Sequence, residues 1–451
     1  MKMLNQGVAL LILSLSGLGC GNALRDDDNP NAGEGQGGAT PSLGGNGGAT
    51  PSLGGNGGAT SSLGGSGGAT PSPGGSVGSE GGPAAGAGDA AGAGGAGGAI
   101  GIGGAGGGGC APVAGVDATP ALRPDDVVFL PGVTVETLAG GASAGMQDGP
   151  MASAIFSNPV SVLVDAAGAV LVSDFDNNRI RRIDIAAGDV STLTFQSGFS
   201  CPFGLVLASD GAVYADTDYD PTSVKSQTTG TIWRIDPLTR AATVVAADLG
   251  RPRGLAALTG GRLALSDYQN ARVRLLDPAD GTVTDLAGSA ACRGFADGRG
   301  AAARFLVPYG IVALPGGDLV VADYGNHRLR RVTMKGDVST FAGDGGSGTI
   351  DGALSAARFA GPVALAIDLA GNIYVSDRDS HRIRRVGADG SVTTLAGDGG
   401  EGFLDGPGAT AKFYGQEGIA VSSDGRSLYV ADGSGGEVAS YHRIRKLAIA
   451  P

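Results

Sequence analysis

GIVALPGGDLVVADYGNHRLRRVTMKGDVSTF, residues 310–341, predicts four short strands in succession, at 310–313, 319–323, 327–332 and 338–341. Each segment is rich in β-branched and other apolar residues, and each break between segments carries Gly, Pro or Asp. An antiparallel unit of four such strands cannot bury both of its faces by itself. The stretch therefore predicts that the rest of the chain supplies further copies of the same unit.

The phrase that closes the second strand and opens the third recurs along the chain. Close copies are SDFDNNRIRRI (173–183), SDYQNARVRLL (266–276), ADYGNHRLRRV (322–332) and SDRDSHRIRRV (376–386), and divergent copies begin at ADTDYD (215–220) and ADGSGG (431–436). One aspartate marks each copy: Asp174, Asp216, Asp267, Asp323, Asp377 and Asp432. Their successive spacings are 42, 51, 56, 54 and 55 residues. A repeat of this length with four strands per unit is typical of a β-propeller.

The number of first strands predicts the number of blades. Six first strands begin near Val160, Phe203, Arg253, Tyr309, Val363 and Glu417. The sixth unit ends at Leu447, after its third strand, whereas a spare fourth-strand sequence, VTVETLAG (133–140), precedes the first unit. We therefore predict an all-β fold, a six-bladed propeller in which the N-terminal strand completes the last blade. Such closure removes an open sheet edge.

The repeat resembles that of a known family. The motif with Asn326-His327-Arg328-Leu329 at its centre resembles the NHL repeat, and the longer frame 295–332 resembles the bacterial form of that repeat. The resemblance extends over roughly 133–447 and implies an NHL-type β-propeller. The copy around Asp216 departs most, because a polar insertion at 221–229 replaces the Asn-His corner.

The N-terminus has the features of an export signal. Residues 1–19 contain one Lys and an apolar run, 8–18, that is too short to span a membrane, which indicates a signal peptide. The segment ends at Cys20 and resembles a bacterial lipoprotein signal, which implies that Cys20 is acylated. Ordinary cleavage just beyond, for example after Ala23, is the alternative. A lipidated chain would reside in the cell envelope, as an outer-membrane or cell-surface lipoprotein.

Residues 20–125 contain mainly Gly, Ala, Ser, Thr and Pro. The decapeptide GGATPSLGGN occurs at 37–46 and again at 47–56. Such a composition cannot bury enough apolar surface to offset the entropy of ordering, so we predict a disordered tether. The tether would hold the propeller, 126–451, away from the surface to which the chain is anchored.

Charge and residue usage exclude several classes of function. The chain has 31 Lys and Arg against 43 Asp and Glu, a net charge of −12, so it lacks the positive excess that nucleic-acid binding requires. The three histidines, His327, His381 and His442, occupy one repeat position in different blades, which argues against a zinc site or a Ser-His-Asp triad. The marker aspartates end strands before turns and are expected to be structural.

Two further features bear on cofactors and on disulfide bonds. The loops GDGGSGTIDG (343–352) and GDGGEGFLDG (397–406) lack the ligand spacing of calcium loops, so we predict no cofactor and leave calcium as an alternative. Cys201 and Cys292 lie in loops that lead into first strands and are the preferred disulfide pair, with Cys110 as a competitor.

The most informative positions vary while their neighbours in the repeat stay constant. Each first strand opens with a near-constant pair of residues around one free residue, which we expect to point into the mouth of the central channel. The six free residues form the candidate ligand-binding ring: Val160, Phe203, Arg253, Tyr309, Val363 and Glu417. Two aromatic rings, a cation and an anion in one concavity suit a ligand. The alternative is that these residues plug the channel, with Arg253 paired to Glu417.

The sequence therefore predicts a surface-anchored, monomeric propeller that binds or scaffolds a protein, peptide or glycan and contacts the membrane only through its lipid anchor. The alternative is a calcium-dependent hydrolase similar to the gluconolactonase and paraoxonase propellers. Glu417 is the one ring carboxylate available to such a site. Enzymatic activity is the less favoured interpretation.

Overall fold

The computed structural model describes residues 125–226, 228–433 and 441–449. The predicted signal peptide (1–19), the predicted acylation site Cys20, the predicted tether up to residue 124 and Cys110 lie outside the described residues. Within the described ranges, helices are confined to 3₁₀ turns: Gly300–Ala302, Tyr324–Asn326, Arg378–Ser380 and Gly408–Thr410. In that part of the chain no helix has the length and apolar character needed to cross a membrane.

Six antiparallel sheets form the six blades of a propeller. Blade 1 contains Gly149–Pro150, Pro159–Val164, Val170–Asp174, Arg179–Asp184 and Asp189–Thr194. Blade 2 contains Pro202–Leu207, Val213–Thr217, Thr231–Ile235 and Ala242–Ala246. Blade 3 contains Pro252–Ala257, Leu263–Asp267, Arg272–Asp277 and Thr282–Gly288. In each blade the first strand of the four-stranded meander lies at one edge of the sheet.

Blades 4 to 6 repeat this order, and the ring closes in blade 6. Blade 4 contains Gly298–Arg299, Pro308–Ala313, Leu319–Asp323, Arg328–Val332 and Asp337–Ala342. Blade 5 contains Gly352–Ala353, Pro362–Ile367, Ile373–Asp377, Arg382–Val386 and Ser391–Ala396. Blade 6 contains Gly406–Pro407, Gln416–Val421, Ser427–Asp432 and His442–Ala448, and its remaining strand is the N-terminal Thr134–Gly141. Val135 is opposite Leu447, so the predicted six blades and their closure are confirmed.

The four strands predicted from residues 310–341 all form, with bounds that differ by one or two residues. The exception of interest is His327, which was predicted to open the third strand. It lies instead in the turn before that strand, with a left-handed φ of 51°. His381 has the same conformation at the equivalent place in blade 5, with a φ of 52°. The Asn-His corner of the motif is therefore a turn.

A buried arginine from the third strand joins each of four blades to the loop that precedes it. We call this contact the arginine clamp, and its members are Arg181, Arg330, Arg384 and Arg445. Arg330 is typical: Nη1 bonds to Asp323 Oδ2 at 2.8 Å and Nη2 to Asp297 Oδ1 at 2.7 Å, and the guanidinium also donates to the carbonyls of Ala296 and Arg304. The marker aspartates of blades 1, 4, 5 and 6 thus have the expected structural role.

Blade 2 departs from the repeat in a way that the spacing did not reveal. In every other blade the residue opposite the first residue of the first strand is the marker aspartate, but Pro202 is opposite Thr217. Trp233 Nε1 donates to Thr217 Oγ1 at 2.9 Å, so a Trp–Thr pair replaces the Arg–Asp pair. The assignment of Asp216 as the marker is therefore wrong by one residue, because the strand ends one residue later than the motif suggested.

The core lies between neighbouring sheets and consists of several separate apolar clusters. In the four clamped blades the phenylalanine three residues before the first strand is fully buried: Phe156, Phe305, Phe359 and Phe413. Each lies beneath the guanidinium of an arginine clamp; for Arg330 and Phe305 the distance is 5.3 Å. The clamp therefore joins the apolar core to the polar edge of the blade.

Candidate functional site

The structure brings all six candidate ring residues together around the central channel. They line one cavity of about 70 Å³, and none is more than 3% exposed. The small residue that follows the ring position allows this convergence: a Cβ on Gly254 would lie 2.5 Å from the carbonyl oxygen of Tyr309 in the next blade. The first strands thus approach closely, and the ring forms the closed floor of the channel mouth.

A second layer of side chains lies against the ring, and the sequence analysis missed it. Its members follow the marker position by one residue: Phe175, Asp218, Tyr268, Tyr324 and Arg378. Most contact the ring residue of the following blade. Phe175 packs on Phe203 with ring centroids 6.1 Å apart, and Tyr268 packs on Tyr309 at 5.9 Å. The residue after each marker is thus the sequence signal that could have identified this layer.

The charged ring residues are matched by charged partners in the second layer. Arg253 forms a bidentate ion pair with Asp218, with 3.1 Å between Nη2 and Oδ2. Glu417 lies 3.9 Å from Arg378 Nε. The expected pair between Arg253 and Glu417 is therefore not formed, because each finds its partner one blade away around the ring.

Blades 2 and 3 together form a polar cluster beneath the mouth. Arg251 Nη2 donates to Asp218 Oδ2 at 2.8 Å, so one buried carboxylate holds two guanidinium groups. The guanidinium carbon of Arg253 also lies 4.3 Å from the ring centroid of Phe203 and 4.9 Å from that of Tyr268. Cation–π contacts of this kind strengthen when they are desolvated. The three charged groups of the cluster are all buried.

Two neighbouring carboxyl groups in this cluster have opposite electrostatics. Burial would raise the pKa of Asp218, but the guanidinium groups of Arg253 and Arg251 hold that pKa well below its usual range. Burial raises the pKa of Asp216 well above its usual value. The nearby charge of Arg253 lowers this pKa only in part, and the negative charge of Asp218 raises it further. Asp218 therefore favours its ionised form, whereas Asp216, two residues earlier in the chain, favours its neutral form.

The histidines join neighbouring blades and do not converge. The backbone N–H of Gly361 donates to His327 Nδ1 at 3.2 Å, and that of Asn158 donates to His442 Nδ1 at 3.0 Å. His381 Nδ1 lies 3.0 Å from the carbonyl oxygen of Tyr414. Each contact crosses to the following blade, as expected for residues that shape the fold.

The described part of the chain contains no group of three or more His, Cys, Asp or Glu residues arranged to hold a metal ion. In the Gly-Asp-Gly loops the aspartates pair with basic side chains. Asp344 Oδ2 lies 2.8 Å from Arg358 Nε, and Asp398 Oδ2 lies 3.5 Å from Lys412 Nζ. Cys201 and Cys292 are both disulfide-bonded; their pairing with each other stays a prediction.

The fold and the closed channel define a six-bladed β-propeller. Residues 305–331 match the family model of the NHL repeat, so the chain carries an NHL repeat within a six-bladed propeller.

Two curated relatives share parts of the sequence. This chain is 27% identical over 290 residues to Protein SUPPRESSOR OF QUENCHING 1, chloroplastic, of Arabidopsis thaliana, and the match covers 56% of this chain and 27% of that protein. It is 36% identical over 85 residues to NHL repeat-containing protein 2 of Homo sapiens, across 19% of this chain and 12% of that protein. The chain thus spans about a quarter or less of the lengths of these relatives.

Solved structures of bacterial proteins share the fold. An auxiliary nutrient binding protein from Bacteroides thetaiotaomicron VPI-5482 is 19% identical with a TM-score of 0.57, across 70% of this chain and 76% of that chain. An auxiliary nutrient binding protein from Bacteroides ovatus ATCC 8483 is 22% identical with a TM-score of 0.56, across 71% of this chain and 77% of that chain. At these identities the similarity shows the fold alone.

Proposed function

We propose that this protein is an exported, surface-anchored binding module whose ligand, a protein, a peptide or a glycan, sits at the mouth of the propeller channel. The predicted signal peptide and Cys20 supply the anchor, the Gly-rich segment supplies the reach, and the propeller supplies the site. Two fold neighbours are auxiliary nutrient binding proteins, so a binding role is compatible with this fold.

The observation that carries the proposal is the break in the repeat at the channel mouth. Apolar and aromatic pairs such as Phe175–Phe203 close part of the mouth, whereas Asp218–Arg253 and Arg378–Glu417 close the rest with charges. Burying an ion costs several kcal/mol in desolvation even when it is paired, so closure alone does not require charges there. Charge that the fold does not need supports a role in recognition.

The ring would act as the floor of this site. Because the six ring residues are buried, a ligand would rest on the more accessible side chains above them. Arg378 has a side chain that is 19% exposed, and Asp379, next to it, is exposed. Tyr324 is partly buried and donates its hydroxyl to Asp379 Oδ2 at 3.0 Å. Aromatic, cationic and anionic groups are thus all available at the mouth.

A thermal-shift titration of the full-length chain tests the proposal, with EDTA, calcium, oligosaccharides and peptides as additions. A ligand that binds only the folded state stabilises it by mass action, by about 2.7 kcal/mol at a hundredfold excess over Kd. The melting temperature rises accordingly. We expect a shift with one class of ligand that the Arg378→Ala variant loses. An equal shift in the variant would place the site elsewhere, and a fall with EDTA that calcium restores would favour the calcium-dependent hydrolase.

A further inference from the structure

Two tyrosines of blade 6 form a stacked pair on the face that carries the channel mouth. The rings of Tyr414 and Tyr441 are nearly parallel, with centroids 4.2 Å apart and an angle of 4° between their planes. Both side chains are partly exposed. In such a stack each ring covers one face of the other, so the outer faces and the hydroxyl-bearing edges are the parts that a ligand can contact.

Tyr441 departs from the repeat. Tyr441 lies immediately before His442, the corner residue of its blade. At the equivalent position four other blades carry a short polar side chain that donates to the marker aspartate at 2.7–2.9 Å: Asn177, Asn270, Asn326 and Ser380. A tyrosine at this position stacks on Tyr414 instead. The blade gives up a repeated hydrogen bond and gains an aromatic ring at the surface.

Tyr414 occupies a position at which the repeat conserves only a backbone contact. Its backbone N–H donates to the marker Asp432 at 3.0 Å, as the residue at this position does in three other blades. The side chains there differ widely: Ser157, Leu306 and Ala360. The backbone contact, and not the side chain, is therefore what the fold requires. Tyr441, which departs from the repeat, and Tyr414, at a position that the repeat leaves variable, thus form a stacked pair that the repeated contacts of the blades do not require.

One backbone contact links the tyrosine pair to a polar turn of the preceding blade. The carbonyl of Tyr414 lies 3.0 Å from His381 Nδ1, and this contact joins the pair to the turn Arg378–Ser380 of blade 5. That turn carries a guanidinium group on Arg378 and the exposed carboxylate of Asp379, and the hydroxyl of Tyr324 donates to the same carboxylate. A stacked aromatic pair and three hydrogen-bonding groups thus lie at successive blades of the propeller, 4 to 6.

We propose that this patch, consisting of Tyr324, Arg378, Asp379, Tyr414 and Tyr441, binds carbohydrate. The outer face of one ring of the stacked pair packs against the apolar C–H face of a sugar ring. The carboxylate of Asp379 accepts hydrogen bonds from sugar hydroxyls, and the guanidinium of Arg378 donates to ring or hydroxyl oxygens. The proposal rests on the proposed binding function and assigns the ligand to one chemical class.

Native affinity electrophoresis of the full-length chain tests this inference, in gels that contain mixed-linkage β-glucan, galactomannan, arabinoxylan or starch. We expect one polysaccharide to retard the protein. Tyr414→Ala introduces the residue that blade 5 has at this position, and Asp379→Asn keeps the size of the side chain, so both variants should fold. Each should weaken retention about tenfold, the effect of losing a stacking contact or a charge-assisted hydrogen bond of about 1.4 kcal/mol.

Matched control variants lie at the equivalent positions of other blades. Asp176→Asn in blade 1 and Leu306→Ala in blade 4 should leave retention unchanged. Equal retention of Tyr414→Ala and the unaltered protein would overturn the inference, as would the absence of retardation in every gel. If peptides still shift the melting temperature in a manner that depends on Arg378, the binding function stands with another ligand class; if neither assay responds, both proposals fail.

Discussion

At the scale of single residues, Asp216 is the least expected group in the propeller. The equivalent position in three other blades is a serine whose hydroxyl donates to a backbone carbonyl of the next blade: Ser173, Ser266 and Ser376. Asp216 is fully buried, and although its Oδ2 accepts from the N–H of Gly204 at 3.0 Å, its Oδ1 has no hydrogen-bond partner among the described residues. A neutral carboxyl group at this position can donate a proton as serine does, which an ionised one cannot.

Asp216→Ser should therefore stabilise the protein at neutral pH. Because burial raises the pKa of Asp216 in the folded state, its favourable contribution is fully present below the unfolded value of about 3.9. That contribution is lost as the pH rises toward the raised pKa. We expect the variant to gain about 1–3 kcal/mol at pH 7.5, the cost of a buried unsatisfied polar group, and less at pH 4.5.

Urea denaturation at both pH values measures the effect, and Asp216→Asn is the matched control because it keeps the shape without the titration. Both variants should flatten the dependence of stability on pH. If instead both variants are less stable than the unaltered protein, by the same amount at pH 4.5 and pH 7.5, the ionised carboxylate of Asp216 is the favourable form.

At the scale of the blade, the arginine clamp explains why two carboxylates and several carbonyls converge on one buried side chain. Burial raises the pKa of Asp323 to about 6, and the ion pair with Arg330 opposes this rise. The clamp also holds the interblade loop, because Asp297 lies at its tip and pairs with the same guanidinium at 2.7 Å. Blades 2 and 3 form four-stranded sheets without the short fifth strand that the clamped loops supply to the other four blades.

Arg330→Ala should cost about 3–5 kcal/mol of stability, since it leaves the buried Asp323 without its counter-ion. The adjacent Arg331 provides the control: its side chain is 51% exposed and pairs with Asp318 at the surface, so Arg331→Ala should cost no more than about 1 kcal/mol. Chemical denaturation of the two variants gives the comparison. Similar losses for both would mean that the clamp contributes no more than a surface ion pair.

At the scale of the whole molecule, four similar blades and two divergent ones form a closed ring. Thr134–Gly141 pairs with the strand His442–Ala448, so the first and last long strands of the propeller lie in one sheet. The residues that precede the propeller carry the predicted anchor. Under the proposed lipoprotein assignment, the location of the protein would depend on Cys20, while the structure of the channel mouth depends on the ring.

Cys20→Ser should release the protein from membranes into the soluble fraction, because the proposed acyl anchor requires the thiol. Fractionation of cells that express either form measures this, and Cys110→Ser is the matched control, which should remain with the membranes. Membrane retention of the Cys20→Ser form would contradict the lipoprotein proposal.

The sequence by itself determined the strand pattern, the number of blades and the closure of the ring, because each depends on local periodicity that recurs at a regular spacing. It also located the six ring residues, since a variable position between constant neighbours is visible in one chain. Their partners were decided by the tertiary structure. Arg253 pairs with Asp218, 35 positions earlier, because neighbouring blades bring the two side chains together, and a one-residue shift in blade 2 concealed Asp218 from the motif. The stacking of Tyr414 on Tyr441 likewise depends on the packing of two loops, which no sequence period encodes.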